Sequence, residues 1–196
     1  MKQQSSNLNS KDAINIGIFT AIIVILNMLV LSILHFLPGI FVLFKEALVA
    51  FILAPVYVLL WIKVPKRGVF TSCAIGIGLS YAVFGFFTVA IFTIIGGILS
   101  DYISNTYFFS NKNINAISYS IFSLFKTIGT YIPFYLWGNQ FISEITSSNS
   151  TTETFLNFFK ENLSISMGIY ILIANILSSI IGVFFGYNLI SKRLQS

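Results

Sequence analysis

The run of residues from 13 to 34 constrains the fold most, because it is predominantly apolar and contains no charged side chain. A helix of about 20 residues spans the roughly 30 Å hydrocarbon core of a bilayer, so this run predicts a transmembrane helix. The whole chain has the same character, with 56% hydrophobic and 9% charged residues. Soluble domains carry about 25% charged residues. The sequence therefore predicts an integral membrane protein.

Apolar segments recur along the chain and predict an all-α bundle of six transmembrane helices. The predicted spans cover residues 11–34, 39–61, the two halves of 69–104 with a turn near Gly85, 117–137 and 165–190. As one helix, residues 69–104 would reach about 54 Å, which is too long for a bilayer. We interpret residues 1–196 as a single membrane domain, with a cytoplasmic tail at 1–11 and a long extracellular loop at 138–165. Segment 155–159 of that loop is predicted to be an amphipathic lid.

Basic residues are distributed asymmetrically between the predicted loops and indicate the orientation. One side carries Lys2, Lys11, Lys63, Lys66, Arg67, Lys112, Lys192 and Arg193. The opposite loops contain Lys160 as their one basic residue. Because basic loops stay in the cytoplasm, both termini are predicted to be cytoplasmic. The net charge of +5 follows this arrangement and does not indicate a nucleic-acid partner.

Small residues follow one face of the first predicted helix. Ala13, Gly17 and Ala21 recur at a spacing of four, which places them above one another on a helix. Small side chains let another helix approach closely in lipid. This stripe predicts either a docking surface for another membrane protein or a groove for a neighbouring helix of the same chain.

Three charged residues lie at predicted membrane depth: Lys45, Glu46 and Lys126. Intramembrane charges usually face a polar interior or a cavity. One interpretation is an outward-facing pocket of net charge +1, suited to an anionic group. The other is a structural Glu46–Lys126 pair with Lys45 extending towards the membrane surface. The fifth span also contains Gly129 and Pro133, which can bend a helix and open a cavity.

Aromatic side chains crowd the half of the predicted bundle opposite the basic loops. Most are expected to form an interfacial belt. Tyr81 and Tyr131 are candidates for stacking on a flat ligand, and His35 is a further candidate, although a lone histidine at a helix end is typical of an interfacial residue. Together with the three charges, these residues predict a partly flat, weakly acidic ligand.

Several chemistries have no motif in this sequence. It contains neither a phosphate-binding Gly-x-x-x-x-Gly-Lys-Ser/Thr loop nor a His-Glu-x-x-His zinc motif. Its single cysteine, Cys73, excludes an intramolecular disulfide. We therefore expect no enzymatic activity, no cofactor and no metal site.

Four segments carry a resemblance to a known family: 11–21 (KDAINIGIFTA), 63–68 (KVPKRG), 96–101 (GGILSD) and 132–135 (IPFY). They resemble the Trep_Strep (MptD-like) group of substrate-binding S components of energy-coupling factor (ECF) transporters. The resemblance implies a bacterial plasma-membrane protein with six helices that binds a small organic micronutrient from outside. It also implies docking through Ala13, Gly17 and Ala21 on a transmembrane coupling subunit, which two separate ATPase subunits power. The N-terminus lacks the histidines of the nickel and cobalt relatives, so metal-ion uptake is not predicted.

Two other functions remain open from the residues alone. One is a membrane scaffold or complex subunit with no ligand of its own. The other is a self-contained secondary carrier, which would transport without ATPase subunits.

Overall fold

The computed structural model describes residues 8–34, 40–104, 111–137, 158 and 161–194, although the side chains of residue 40 and of 191–194 are not described. All regular secondary structure in these ranges is helical. In chain order the helices are α1 (Ser10–Leu34), α2 (Ile40–Leu43), α3 (Lys45–Lys63), α4 (Val69–Val83), α5 (Phe87–Ser104), α6 (Lys112–Leu136) and α7 (Ile165–Leu194). His35 and most of the predicted 155–159 lid lie outside the described residues.

Local hydrogen bonds explain where several helices begin. At the start of α1, Asn9 Oδ1 accepts from the Asp12 amide and Asp12 Oδ2 accepts from the Asn9 amide, at 2.9 and 2.8 Å. This reciprocal pair is a capping box, and Lys66 Nζ adds an ion pair to Asp12 at 2.6 Å. The predicted turn at Gly85 is confirmed, because this residue adopts φ +84° between α4 and α5.

The predicted span 39–61 is not one helix, since it is interrupted at Phe44. The Ala47 amide donates to the Phe44 carbonyl at 3.0 Å, which shortens the hydrogen-bonded turn. The Leu43 carbonyl instead accepts from the Tyr131 hydroxyl at 2.8 Å. A side chain of α6 thus replaces a backbone donor of α3, and α3 begins at Lys45.

The six long helices form a closed ring around one core. Neighbours in the ring are α1 and α4, α4 and α5, α5 and α6, α6 and α7, α7 and α3, and α3 and α1. The centre is aromatic, and its buried rings are those of Tyr57, Trp61, Phe70, Tyr119 and Phe122. Their centroids lie 4.9 to 6.5 Å apart, which is the usual range for contacting aromatic pairs.

The outer faces of the ring are apolar. On α1 the exposed residues include Ile14, Ile18, Ile22, Ile25, Leu29 and Ile33. Among the described residues, four helices are long and apolar enough to cross a membrane, namely Ser10–Leu34, Lys45–Lys63, Phe87–Ser104 and Ile165–Ile190. Val69–Val83 is apolar but has 15 residues, and α6 carries buried serine, threonine and lysine side chains. The count of six spans stays a prediction.

Close helix contacts depend on glycine at several crossings. A Cβ atom built on Gly182 of α7 would lie 2.8 Å from the Ala54 Cβ and 2.9 Å from the Phe51 carbonyl oxygen of α3. On α6, a Cβ on Gly129 would lie 3.0 Å from the Thr88 carbonyl oxygen of α5. The expectation that Gly129 opens a cavity is therefore wrong, because it brings two helices together.

Replacing Gly182 by alanine should destabilise the protein by about 1–3 kcal/mol, since the new methyl group meets backbone that cannot move freely. The matched control is Gly17→Ala, because a Cβ there meets no atom within 4 Å among the described residues. Thermal unfolding of both purified variants in detergent measures the difference. Equal unfolding midpoints would contradict the packing described for α3 and α7.

Candidate functional site

A buried ion pair joins α3 to α6. Lys126 Nζ lies 3.0 Å from Glu46 Oε2, and the two side chains are 9% and 3% exposed. Buried charges are tolerated when they are paired and hydrogen-bonded. The pair that the structural interpretation of the sequence predicted is therefore present, and whether it also binds a ligand is a separate question.

Two neutral side chains extend the pair across the ring. Lys126 Nζ donates to Asn27 Oδ1 of α1 at 3.0 Å. Asn27 Nδ2 donates in turn to the Tyr81 hydroxyl of α4 at 2.8 Å. The amide orientation thus satisfies an ammonium on one side and a hydroxyl on the other. We call Glu46, Lys126, Asn27 and Tyr81 the polar network.

Helix α7 also contributes a polar side chain next to Glu46. Asn175 of α7 is fully buried, and its Nδ2 donates to the Glu46 carbonyl at 3.3 Å. Its Oδ1 has no hydrogen-bond partner among the described residues. Five of the six ring helices therefore contribute a polar side chain around Glu46 and Lys126, and α5 is the exception within the described part.

A small cavity adjoins the polar network. Its volume is about 20 Å³, and its lining combines the polar side chains of Asn27, Ser123 and Lys126 with aromatic rings and aliphatic side chains. That is room for about one water molecule. The rings are those of Tyr57, Tyr119 and Phe122.

An apolar cluster covers the opposite side of the ion pair. We call it the Leu43 cluster; it consists of Val42, Leu43, Tyr131, Leu163 and Ile171, with Phe44, Phe134, Phe158 and Met167 packed against it. Leu43 at the end of α2 and Glu46 and Val49 of α3 follow one another at three-residue intervals, so the pair lies between the Leu43 cluster and the cavity. Phe158 is the described residue of the predicted lid segment, and it contacts this cluster.

The structure brings together three of the predicted substrate-binding residues: Glu46, Lys126 and Tyr81. Tyr131 is buried one turn away, where its hydroxyl bonds to the Leu43 carbonyl. Lys45 is half-buried. Sequence reasoning missed Asn27 and Asn175, although an amide inside an otherwise apolar run is a recognisable signal for contacts between membrane helices.

The small residues of α1 face an open groove. Ala13, Gly17 and Ala21 are exposed and line a depression of about 560 Å³ between α1 and α4. Ser72 and Gly76 line its other wall. No described atom lies within 4 Å of a Cβ placed on Gly17, so a neighbouring helix of the described chain does not fill the groove there.

Comparison with known proteins gives a match to one family. The family described as hypothetical bacterial integral membrane protein (Trep_Strep) matches residues 10–195. No curated protein and no solved structure matches the chain. Within the described residues, no three histidine, cysteine, aspartate or glutamate side chains are grouped to hold a metal ion.

Lys126→Met should destabilise the protein by about 3–5 kcal/mol, because it leaves the Glu46 carboxylate buried without its counter-charge. The double variant Glu46→Gln/Lys126→Met should be milder, since neither charge remains. Thermal unfolding of the two variants and the wild type in one detergent gives the comparison. A double variant less stable than Lys126→Met would contradict the pairing.

Proposed function

We propose a function for this chain from the premise that it belongs to the Trep_Strep family of hypothetical bacterial integral membrane proteins. The proposed function is that of a substrate-binding S subunit of an ECF-type importer. It would capture a small, vitamin-like organic nutrient outside the cell. It would then dock on a transmembrane coupling subunit that two separate ATPase subunits drive.

The observation that carries this proposal is the exposed small-residue groove on α1. In the interior of a membrane protein, small residues at such spacing normally receive a helix of the same chain. Here Ala13, Gly17 and Ala21 remain uncovered by the described residues. A helix of a coupling subunit is the occupant that the resemblance implies.

The placement of the polar network agrees with a binding site at the other end of the same helix. Gly17 and Asn27 are ten residues apart on α1, which corresponds to about 15 Å. Three basic residues lie at the connection between α3 and α4: Lys63, Lys66 and Arg67. The ion pair between Lys66 and Asp12 holds this connection next to the end of α1 that carries the groove. If the basic loops lie in the cytoplasm, the groove belongs to the cytoplasmic half of the protein, and the Leu43 cluster belongs to the external half.

A secondary carrier is the second candidate, and the buried Glu46 favours it. Carboxylates at membrane depth often belong to ion or proton pathways. In this protein the carboxylate is paired with Lys126, which in turn donates to Asn27, and this arrangement also suits a static binding site. Uptake measurements separate the two functions.

Proteoliposomes containing the chain alone should bind the transported nutrient without accumulating it, because an S subunit has no energy source of its own. Adding the coupling subunit, both ATPase subunits and ATP should produce accumulation. Mass spectrometry of the compound released when the purified protein is denatured identifies the nutrient. Uptake of the radiolabelled nutrient is then measured. Accumulation by the chain alone under an ion gradient would instead identify a secondary carrier.

Gly17→Leu and Ala21→Leu should each weaken assembly with the coupling subunit by about tenfold to a hundredfold, because a bulky side chain separates the two helices. Copurification through a tag on the coupling subunit measures assembly. Ligand binding should persist in both variants.

The matched control for these variants is Ser32→Leu. Ser32 is exposed on α1 but does not line the groove. This variant places the same leucine side chain on the same helix but outside the groove, so its assembly should equal that of the wild type. Wild-type assembly of Gly17→Leu and Ala21→Leu would reject docking at this surface.

A further inference from the structure

A second groove lies between α6 and α7, and we call it the α6–α7 groove. Its volume is about 400 Å³, which is within the range of small-molecule sites. It is lined by Ile128, Tyr131, Ile132 and Tyr135 of α6 and by Ile165, Gly168, Ile169, Ile171 and Leu172 of α7. On each helix, four of these residues stand at positions i, i+3, i+4 and i+7, so each wall is one stripe along its helix. The groove therefore runs along the helix axes over about 10 Å.

Tyr135 bridges the two helices at one end of the groove. Its hydroxyl donates to the Ser164 carbonyl at 3.0 Å and lies where a Cβ atom on Gly168 would stand. Glycine at position 168 therefore leaves room for the bridge. On the inner side, Tyr131 and Ile171 are buried members of the Leu43 cluster. The groove is thus separated from the ion pair by this cluster.

The lining of the groove favours an apolar occupant. None of the lining residues is charged. The two hydroxyl groups among them already donate to carbonyl oxygens, Tyr131 to Leu43 at 2.8 Å and Tyr135 to Ser164 at 3.0 Å. Water does not fill an apolar cavity that lacks polar partners, and a polar ligand would lose its own hydrogen bonds there. Hydrocarbon is the chemistry that matches these walls.

The groove opens on the outer surface of the ring, which is apolar. Ile165 and Ile169 at its edge are 77% and 54% exposed. They belong to the helix stretch Ile165–Ile190, which is long and apolar enough to cross a membrane. A gap on a surface that faces hydrocarbon loses dispersion contacts unless hydrocarbon fills it. The surrounding lipid is therefore the source of the occupant.

The width of the groove suits a single chain. Over about 10 Å, its volume corresponds to a mean cross-section of about 40 Å², which is about half or less of that of a helix 10–12 Å in diameter. A helix of another protein therefore does not fit inside it, whereas an acyl chain does. The groove also runs along the helix axes, as acyl chains run alongside the helices that span a bilayer.

Polar groups stand at the Tyr135 end of the groove. The exposed hydroxyl groups of Ser164 and Ser166 lie 2.9 Å apart, and exposed Trp137 follows α6. Tyrosine and tryptophan are typical of the membrane interface. This end therefore corresponds to the level of lipid ester and headgroup oxygens, and the end at Ile128 and Leu172 points towards the hydrocarbon core.

We propose that the α6–α7 groove binds one acyl chain of a membrane phospholipid, with the ester and headgroup oxygens beside Tyr135, Ser164 and Ser166. The acyl chain packs on Tyr131 and Ile171 from the outside and completes the wall around the Leu43 cluster. This site is separate from the groove on α1 and from the polar network. A chain that never assembles with a coupling subunit would still bind this lipid.

The test is native mass spectrometry of the full chain, delipidated in detergent and then given dioleoylphosphatidylcholine. We expect the wild type to retain a single phospholipid. Ile169→Trp and Leu172→Trp should each lower the retained lipid by about tenfold, because an indole ring and an acyl chain cannot share the groove. The matched control is Ile173→Trp, since Ile173 is a similarly exposed isoleucine of α7 that does not line the groove. This control should retain lipid as the wild type does.

The same measurement identifies the source of the chain. Sodium oleate is offered at the same concentration as the phospholipid, and preferential retention of oleate would overturn the inference. Retention of no lipid would overturn it as well, whatever else fills the groove. Ile169 lies at the exposed edge, so Ile169→Trp keeps the test decisive if the more buried Leu172→Trp does not fold. Wild-type retention in the folded variants would place the lipid elsewhere.

Discussion

The need to compensate two charges inside an apolar bundle organises the centre of this protein. Glu46 and Lys126 satisfy each other at 3.0 Å, and Asn27 and Tyr81 complete the arrangement from two further helices. Isolated charges at this depth are expensive, so these side chains fix the relative positions of α1, α3, α4 and α6. Apolar packing between helices in lipid is less directional, and the polar contacts therefore specify which faces meet.

The two candidate functional surfaces share α1. Its Asn27 belongs to the polar network, whereas its Gly17 lies in the open groove on the same continuous helix. A shift of α1 that alters the groove therefore also moves Asn27, the hydrogen-bond partner of Lys126. Such a shared rigid element is a physical route by which the proposed docking and the proposed ligand binding would influence each other.

Features that depend on residues close in the sequence were predicted correctly. Features that depend on contacts between distant residues were not. The bounds of α1, the α4–α5 turn at Gly85 and the beginning of α7 followed from apolar runs and breaks. The break at Phe44 did not, because it depends on Tyr131, 88 residues away from Leu43. Asn27 was missed because its partner Lys126 is 99 residues distant in the sequence. Gly129 was predicted to open a cavity because the sequence alone does not show that α5 packs against it. The sequence indicated the charged residues, but only the fold shows that Glu46 and Lys126 are in contact.

The order of helices around the ring has a consequence for biosynthesis. Among the six long helices of the described chain, two contacts join helices that do not follow one another, α1 with α4 and α3 with α7. During synthesis, Glu46 of α3 precedes Lys126 of α6. The lysine that pairs with Glu46 is therefore added only after α4 and α5 have been synthesised. The ring closes when the last helix, α7, reaches α3 and places Gly182 against Phe51 and Ala54. A ribosome stalled before α7 would thus leave a bundle whose charges are already matched but whose wall is still open to lipid.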